Sequence, residues 1–348
     1  MDLKRRVDAV IDGAMAAERI VGAVVLVKVD GVSAYRRAGG LMDREAAVPM
    51  RDDAVFRLAS VTKLVVAATA LALVGQRRLD LDDPVARWLP EFRPTLPDGC
   101  PAQMTVRHLL THTACLSYGF IEAADGPYHR AGVSDGLDLA GLTLAENLRR
   151  LASVPLLFEP GTAWNYSLSI DVLGAVIERA AHEALPEAVR RLVTEPLGMA
   201  DTGFSVPGSV PLAAAYADHT PVPRRMRGAD GYPGLDGLAP LAVDLARAYD
   251  AGAFLSGGGG MVAPPTICCD CWRPSVGVVR RSWRTAWSPR WAATRPATCR
   301  WLAGRAGPTA SALACSRMLR PQARRSRRGR GVGAARMVTH GSSIPPGR

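Results

Sequence analysis

The 348-residue chain has no apolar run long enough to span a bilayer. Its longest, Leu64 to Val74, is about half of the roughly 20 residues that a membrane helix needs. The opening Met1-Asp2-Leu3-Lys4-Arg5-Arg6 has no apolar stretch behind it, so no signal peptide is expected and a cytoplasmic location is the default. Acid is almost missing from one part of the chain. Residues 263–348 hold a single acidic residue, Asp270, and no Glu, Lys, Phe or Tyr, against 17 Arg. They also hold five of the seven Trp and five of the seven Cys. Residues 1–262 carry all six Phe and all seven Tyr, with a net charge of −5. The overall +11 is therefore no uniformly basic surface. Apolar residues make up 48% and charged residues 22%, so a sizeable core is expected and global disorder is excluded.

Residues 263–348 show neither helical nor strand periodicity, and Pro and Gly interrupt them often. One reading is a basic arm, with Arg324-Arg325-Ser326-Arg327-Arg328-Gly329-Arg330 on nucleic acid. Another is metal binding by Cys268, Cys269 and Cys271, but no partner pair stands at the usual distance. Disulfides do not suit a chain without an export signal. The composition fits best a wrong reading frame of a GC-rich gene. With permissible codons, a one-base shift over Ala263–Val276 can read Gly-Thr-Ala-Asp-Asp-Leu-Leu-Arg-Leu-Leu-Glu-Ala-Ile-Arg, an amphipathic helix with an acidic first turn. The expected division is a domain over 1–262, incomplete at its C-terminal side, and an Arg-rich, out-of-frame, disordered tail over 263–348.

The first 262 residues are organised. Asp2 to Ala17 has the pattern of an amphipathic helix. Val21 to Val29 and Ser33 to Arg37 are strand-like, joined around Asp30-Gly31, a hairpin signal. Ser60 opens an apolar helix that runs to Val74 and is bounded by Gly75. Helices are predicted after Leu81-Asp82-Asp83-Pro84, over Thr105–Thr113, over Leu142–Leu151 and over Ile170–Ala181, with a loop over Ser256–Gly260. The order suggests an α+β arrangement in which the chain ends complete one sheet.

Phe56-Arg57-Leu58-Ala59-Ser60-Val61-Thr62-Lys63 carries the chemistry. Helix N-termini present unpaired N–H groups, which favour developing negative charge at Ser60. Lys63, three residues on, shares the face of Ser60. Against an apolar wall a lysine loses solvation, its pKa falls, and it can help take the serine proton. Tyr166, in a loop before a helix, can be a second base if nearby cations lower its pKa. Taken alone, an N-cap serine, an exposed lysine and a satisfied core tyrosine would explain the same residues.

The combination resembles the serine β-lactamase and penicillin-recognising superfamily, most of all the family VIII carboxylesterases, which look like class C β-lactamases. The stretches that carry it are Phe56–Lys63, Leu81–Phe92, Leu109-Leu110-Thr111-His112-Thr113, Tyr166–Gly174, Pro196-Leu197-Gly198-Met199 and Ser256–Met261, within residues 5–262. Together they are specific, though singly they are not. The resemblance implies an antiparallel sheet flanked by helices with an all-helical lobe, Ser60 lying between. It implies Ser60 as acylated nucleophile, Lys63 and Tyr166 as proton-transfer partners, and the Ser60 N–H in an oxyanion hole. It implies hydrolysis of short-chain esters without metal or organic cofactor. The alternatives are a β-lactamase or peptidase of the same superfamily, or a catalytically dead product with or without nucleic-acid binding.

Three features depart from the pattern. Tyr166-Ser167-Leu168 stands where lactamases have Tyr-x-Asn, which favours an esterase. Ala114-Cys115 replaces a common Ser-Gly, with a packing effect expected. The final Trp-Gly-Gly or Lys-Thr-Gly motif is absent, though the shifted frame can read Trp-Gly-Gly over Val332, Gly333 and Ala334. His108 and His112 could bind metal at helical spacing, but no third ligand is visible and a structural role is expected. Gly257 to Gly260 lacks the Lys-Ser or Lys-Thr of a phosphate loop. Cys115 is expected to be a buried thiol.

Overall fold

The computed structural model describes residues 2–30, 32–206, 212–232 and 237–266. The arginine run, the three clustered cysteines and the shifted Trp-Gly-Gly positions lie outside the described residues. Helix α1 (Leu3–Ala16) is capped by the Asp2 carboxylate, which accepts from the Lys4 N–H. Strands β1 (Gly22–Val29) and β2 (Val32–Asp43) form the predicted antiparallel hairpin, with a register shift at Val27/Lys28. Strand β2 runs to Asp43, six residues past the alternating pattern seen in the sequence, and pairs with β3 (Val48–Pro49). Tyr35 and Arg37 of β2 reach Asp8 of α1 at 2.6 and 2.9 Å, which pins the helix to the sheet.

Strand β4 (Phe56–Arg57) leads into a single 3₁₀ turn and then α2 (Thr62–Gly75). Short helices α3 (Val85–Trp88), α4 (Val106–Leu110) and α5 (Pro127–Arg130) follow, then α6 (Leu144–Ala152), α7 (Ser169–Ala181) and α8 (Leu185–Val189). Short antiparallel pairs are made by β5 (Tyr216–Ala217) with β6 (Arg224–Arg225), and by β7 (Ala229–Tyr232) with β8 (Leu241–Asp244). Strand β9 (Val262–Ala263) returns to β4, pairing Phe56 with Ala263 and Arg57 with Val262.

The core is helical. Val65, Val66 and Leu73 of α2 pack with Leu109, Leu116, Leu173, Val176 and Ile177, all fully buried. Each such side chain contributes about 1.5–3 kcal/mol through removal of apolar surface from water. Smaller clusters, such as Val55 with Ala248 and Val262, lie on the strand side. The expected plan of antiparallel strands, flanking helices and a helical lobe is the plan observed.

One predicted helix is shorter than the pattern suggested. Helix α4 ends at Leu110, and His112 takes φ 54° instead of continuing it. The backbone beyond has other partners: His112, Thr113 and Cys115 give their carbonyls to the N–H groups of Asn165, Gly161 and Leu157. His108 and His112 therefore do not share a helix face. His108 closes a capping box with Thr105, and His112 points toward Tyr166.

Candidate active site around Ser60

Ala59 precedes Ser60 with φ 42°, a left-handed conformation that costs an alanine about 1 kcal/mol. The turn Ala59–Val61 holds it there and leaves Ser60 exposed ahead of α2. Lys63, one turn on, is half-buried. Its ammonium donates to Ser60 Oγ at 3.2 Å and to the Gly258 carbonyl at 2.6 Å. It also lies over the rings of Tyr166 at 4.7 Å and Tyr118 at 5.4 Å, where ring quadrupoles attract a cation.

Tyr166 arrives from a loop sewn to the chain after α4. Gly161, Asn165 and Leu168 donate their N–H groups to Thr113, His112 and Ser117, and the Asn165 amide donates to the Leu116 carbonyl at 2.7 Å. The Tyr166 hydroxyl donates to Ser60 Oγ at 2.5 Å. The three residues singled out in the sequence thus meet at one oxygen. An oxygen flanked by a lysine nitrogen and a phenol oxygen can be polarised by either group and can give its proton to whichever of them is in its base form, which suits nucleophilic chemistry.

Several supporting residues escaped the sequence reading. Asp171, in the first turn of α7, is fully buried and accepts from Ser256 Oγ at 2.6 Å and from the Gly258 N–H at 3.2 Å. Burial raises its pKa, opposed by the Ser256 hydrogen bond and the Lys63 charge. An acid inside the apolar run Ile170–Ile177 was the available signal, but only the fold shows what it holds. The loop 256–260 is close-packed: a Cβ on Gly257 would lie 2.6 Å from the Ile170 carbonyl, and one on Gly258 would lie 2.3 Å from Asp171 Oδ2. These glycines serve close approach of backbone to α7. The loop is tied to the segment around Ser60 too, since Met261 N–H donates to Thr62 Oγ1 at 3.1 Å and Leu58 N–H to the Met261 carbonyl at 2.9 Å.

His112 packs its ring 5.0 Å from that of Tyr166, with its Nδ1 3.4 Å from Ser167 Oγ. Burial, aided by the Lys63 cation, pushes its pKa down to about 3, so the imidazole is neutral. Tyr118 is buried beneath Lys63, and burial raises its pKa well above the usual phenol range. Cys115 is fully buried at φ 60°, and burial raises its pKa, so it packs as a neutral thiol. Leu168, at the place of the lactamase amide, is fully buried and belongs to the core.

A sequence profile of the Beta-lactamase family matches residues 7–267, and the chain belongs to this family. It is 52% identical over 260 residues to Esterase EstB of Burkholderia gladioli, covering 74% of this chain and 66% of that protein. It is 32% identical to ML-236A carboxylate methylbutanoyltransferase of Penicillium citrinum, over 61% of this chain and 54% of the relative. Among solved structures, EstCE1, described as a hydrolase with promiscuous acyltransferase activity, superposes with a TM-score of 0.73 at 43% identity, covering 77% of this chain and 70% of its own. The chain thus spans just under two thirds, or less, of these curated relatives. Among the described residues no helix is long and apolar enough to cross a membrane.

Proposed function

We propose that this protein is a serine carboxylesterase that cleaves short-chain esters through an acyl-enzyme on Ser60. The observation that carries the reading is the sharing of Ser60 Oγ by Lys63 Nζ and the Tyr166 hydroxyl. In the proposed cycle one of the two partners enters in its base form, Lys63 as the neutral amine or Tyr166 as the phenolate, and Ser60 Oγ attacks the ester carbonyl while its proton passes to that group. The new Oγ–acyl bond forms and the acyl–alkoxide bond breaks. The alkoxide leaves with the proton that the base had taken. Water then attacks the acyl-enzyme by the reverse use of the same groups. The Ser60 N–H at the head of α2 is the proposed first donor to the oxyanion. Asp171 acts one step removed: it fixes Gly258, whose carbonyl fixes the Lys63 ammonium.

The 52% identity to an esterase supports the ester as substrate. The core position of Leu168 supports an ester over a β-lactam, since no side-chain amide stands there to hold a lactam acyl group. Acyl transfer to an alcohol in place of water is a second reading, favoured by the transferase activities in the names of two relatives. Release of p-nitrophenol from p-nitrophenyl acetate tests the first reading. Turnover abolished in Ser60→Ala is the expected result, and a folded wild-type chain without turnover rejects it. Adding a primary alcohol and measuring the new ester separates transfer from hydrolysis.

A further inference from the structure

His112 meets four consecutive residues of the loop that carries Tyr166, through its ring, its carbonyl and its Nδ1. The ring lies edge-on to Trp164, with centroids 6.3 Å apart and planes at 72°. The carbonyl accepts from the Asn165 N–H at 2.9 Å. The ring also lies 5.0 Å from that of Tyr166, and Nδ1 stands 3.4 Å from Ser167 Oγ. This reach depends on the left-handed backbone of His112, at φ 54°. Asparagine, aspartate and histidine are the side chains enriched in that conformation. Of the three, only histidine adds a flat ring.

The grip is itself anchored. Ser167 Oγ lies 2.7 Å from Ser169 Oγ, and both serines are fully buried. Ser169 opens α7, two residues before Asp171. The first turn of α7 therefore constrains both partners of Ser60: Lys63 through Asp171 and Gly258, and Tyr166 through Ser167 and His112. Burial keeps the imidazole neutral, so no second cation stands with Lys63 beside the Tyr166 ring. The contact at stake is short. A Tyr166 hydroxyl 2.5 Å from Ser60 Oγ has little slack, and a shift of the ring breaks it.

We propose that His112 is a positioning residue for Tyr166, holding the loop so that the phenol hydroxyl meets Ser60 Oγ. The inference rests on the reading of Tyr166 as a proton-transfer partner in ester cleavage. His112→Asn keeps the left-handed backbone and the carbonyl on Asn165 but removes the ring. With p-nitrophenyl acetate its kcat should fall roughly ten- to a hundredfold, with KM within about twofold of wild type. His112→Phe restores a flat ring and should recover most of that loss. Tyr166→Phe supplies the discriminating background, because it leaves no hydroxyl to place. There His112→Asn should change kcat by less than about twofold. The same fold loss with and without the Tyr166 hydroxyl would make His112 a general support of the fold and overturn the proposal. An unchanged kcat in His112→Asn alone would overturn it as well. Should His112→Asn not fold, His112→Leu enters the same cycle with the same outcomes. Wild-type kcat in Tyr166→Phe would instead reject Tyr166 as a partner, and a folded wild type without turnover would reject the esterase reading. Both results are distinct from equal losses in the cycle.

Discussion

Lys63 and Gly258 stand 195 residues apart in sequence, yet the lysine ammonium lies closer to the Gly258 carbonyl, at 2.6 Å, than to Ser60 Oγ, at 3.2 Å. The lysine is held from the far end of the domain. The glycine loop is in turn held by a buried carboxylate on α7. The position of Lys63 is thus a product of three segments that do not adjoin in the chain.

Gly258→Ala should therefore damage the site without touching any reacting group. The added Cβ would meet Asp171 Oδ2 at 2.3 Å and Tyr118 Oη at 3.0 Å, so the loop must shift. Since misplacement by about 1 Å can cost a hundredfold, a fall in kcat/KM of that order is expected. An unchanged kcat/KM for p-nitrophenyl acetate would show that the Gly258 carbonyl does not position Lys63.

Asp171→Ala leaves the Ser256 hydroxyl and the Gly258 N–H buried without their acceptor. A destabilisation of about 2–4 kcal/mol is expected from two such orphaned donors. Asp171→Asn keeps one acceptor oxygen and the side-chain volume, and should recover at least half of that loss. Urea unfolding of the two variants beside wild type measures the difference.

Tyr166→Phe removes a donor to Ser60 Oγ and keeps the ring that packs against His112 and Trp164. Loss of a proton-transfer partner corresponds to about 10²–10⁴ in kcat. The melting temperature should move little. A variant that melts much earlier, with kcat falling only in proportion to the folded fraction, would give Tyr166 a purely structural part.

His112 gives a pH dependence with a defined sign. Its folded pKa of about 3 lies below the ordinary 6.5, because burial disfavours the imidazolium. The unfolded chain takes up a proton that the native site refuses. Its contribution is fully present above pH 6.5 and is lost as the pH falls toward 3. Urea midpoints should drop over that window in wild type, and the curve for His112→Gln should be flatter. Parallel curves for the two proteins would contradict the assignment.

A base gained or lost near the codons for Val262 to Pro265 is expected from the composition break that follows β9. Resequencing the gene across those codons reads the outcome directly. An unaltered sequence there would mean that the arginine-rich residues are the gene's true product.

Much of the domain was legible because its signals are local. Asp30-Gly31 between two strand-like runs, Val21–Val29 and Ser33–Arg37, marks a hairpin. A Ser-x-x-Lys at the head of the stretch Leu64–Val74, apolar but for Thr69, marks a buried helix with its chemistry at one end. Ser60 and Lys63 share a face because a helical turn puts them there. Helix α4 shows the limit of such reasoning: periodicity extended it through Thr113, but His112 turns to φ 54° and the carbonyls of His112 and Thr113 accept from the loop that carries Tyr166.

The sequence by itself determined the residue types, the hairpin and the helix that follows Ser60, since each depends on residues within a turn or two of one another, and it determined the family likeness through several such short motifs taken together. Only the tertiary structure decided that Tyr166 reaches Ser60, that Asp171 and Gly258 hold Lys63, and that Trp164 stands beside Tyr166. Those contacts span up to 195 residues, and local propensity carries no information about which distant backbone group will meet a given side chain. Packing of α2 against α7 supplies it, by bringing the ends of both helices to the same place.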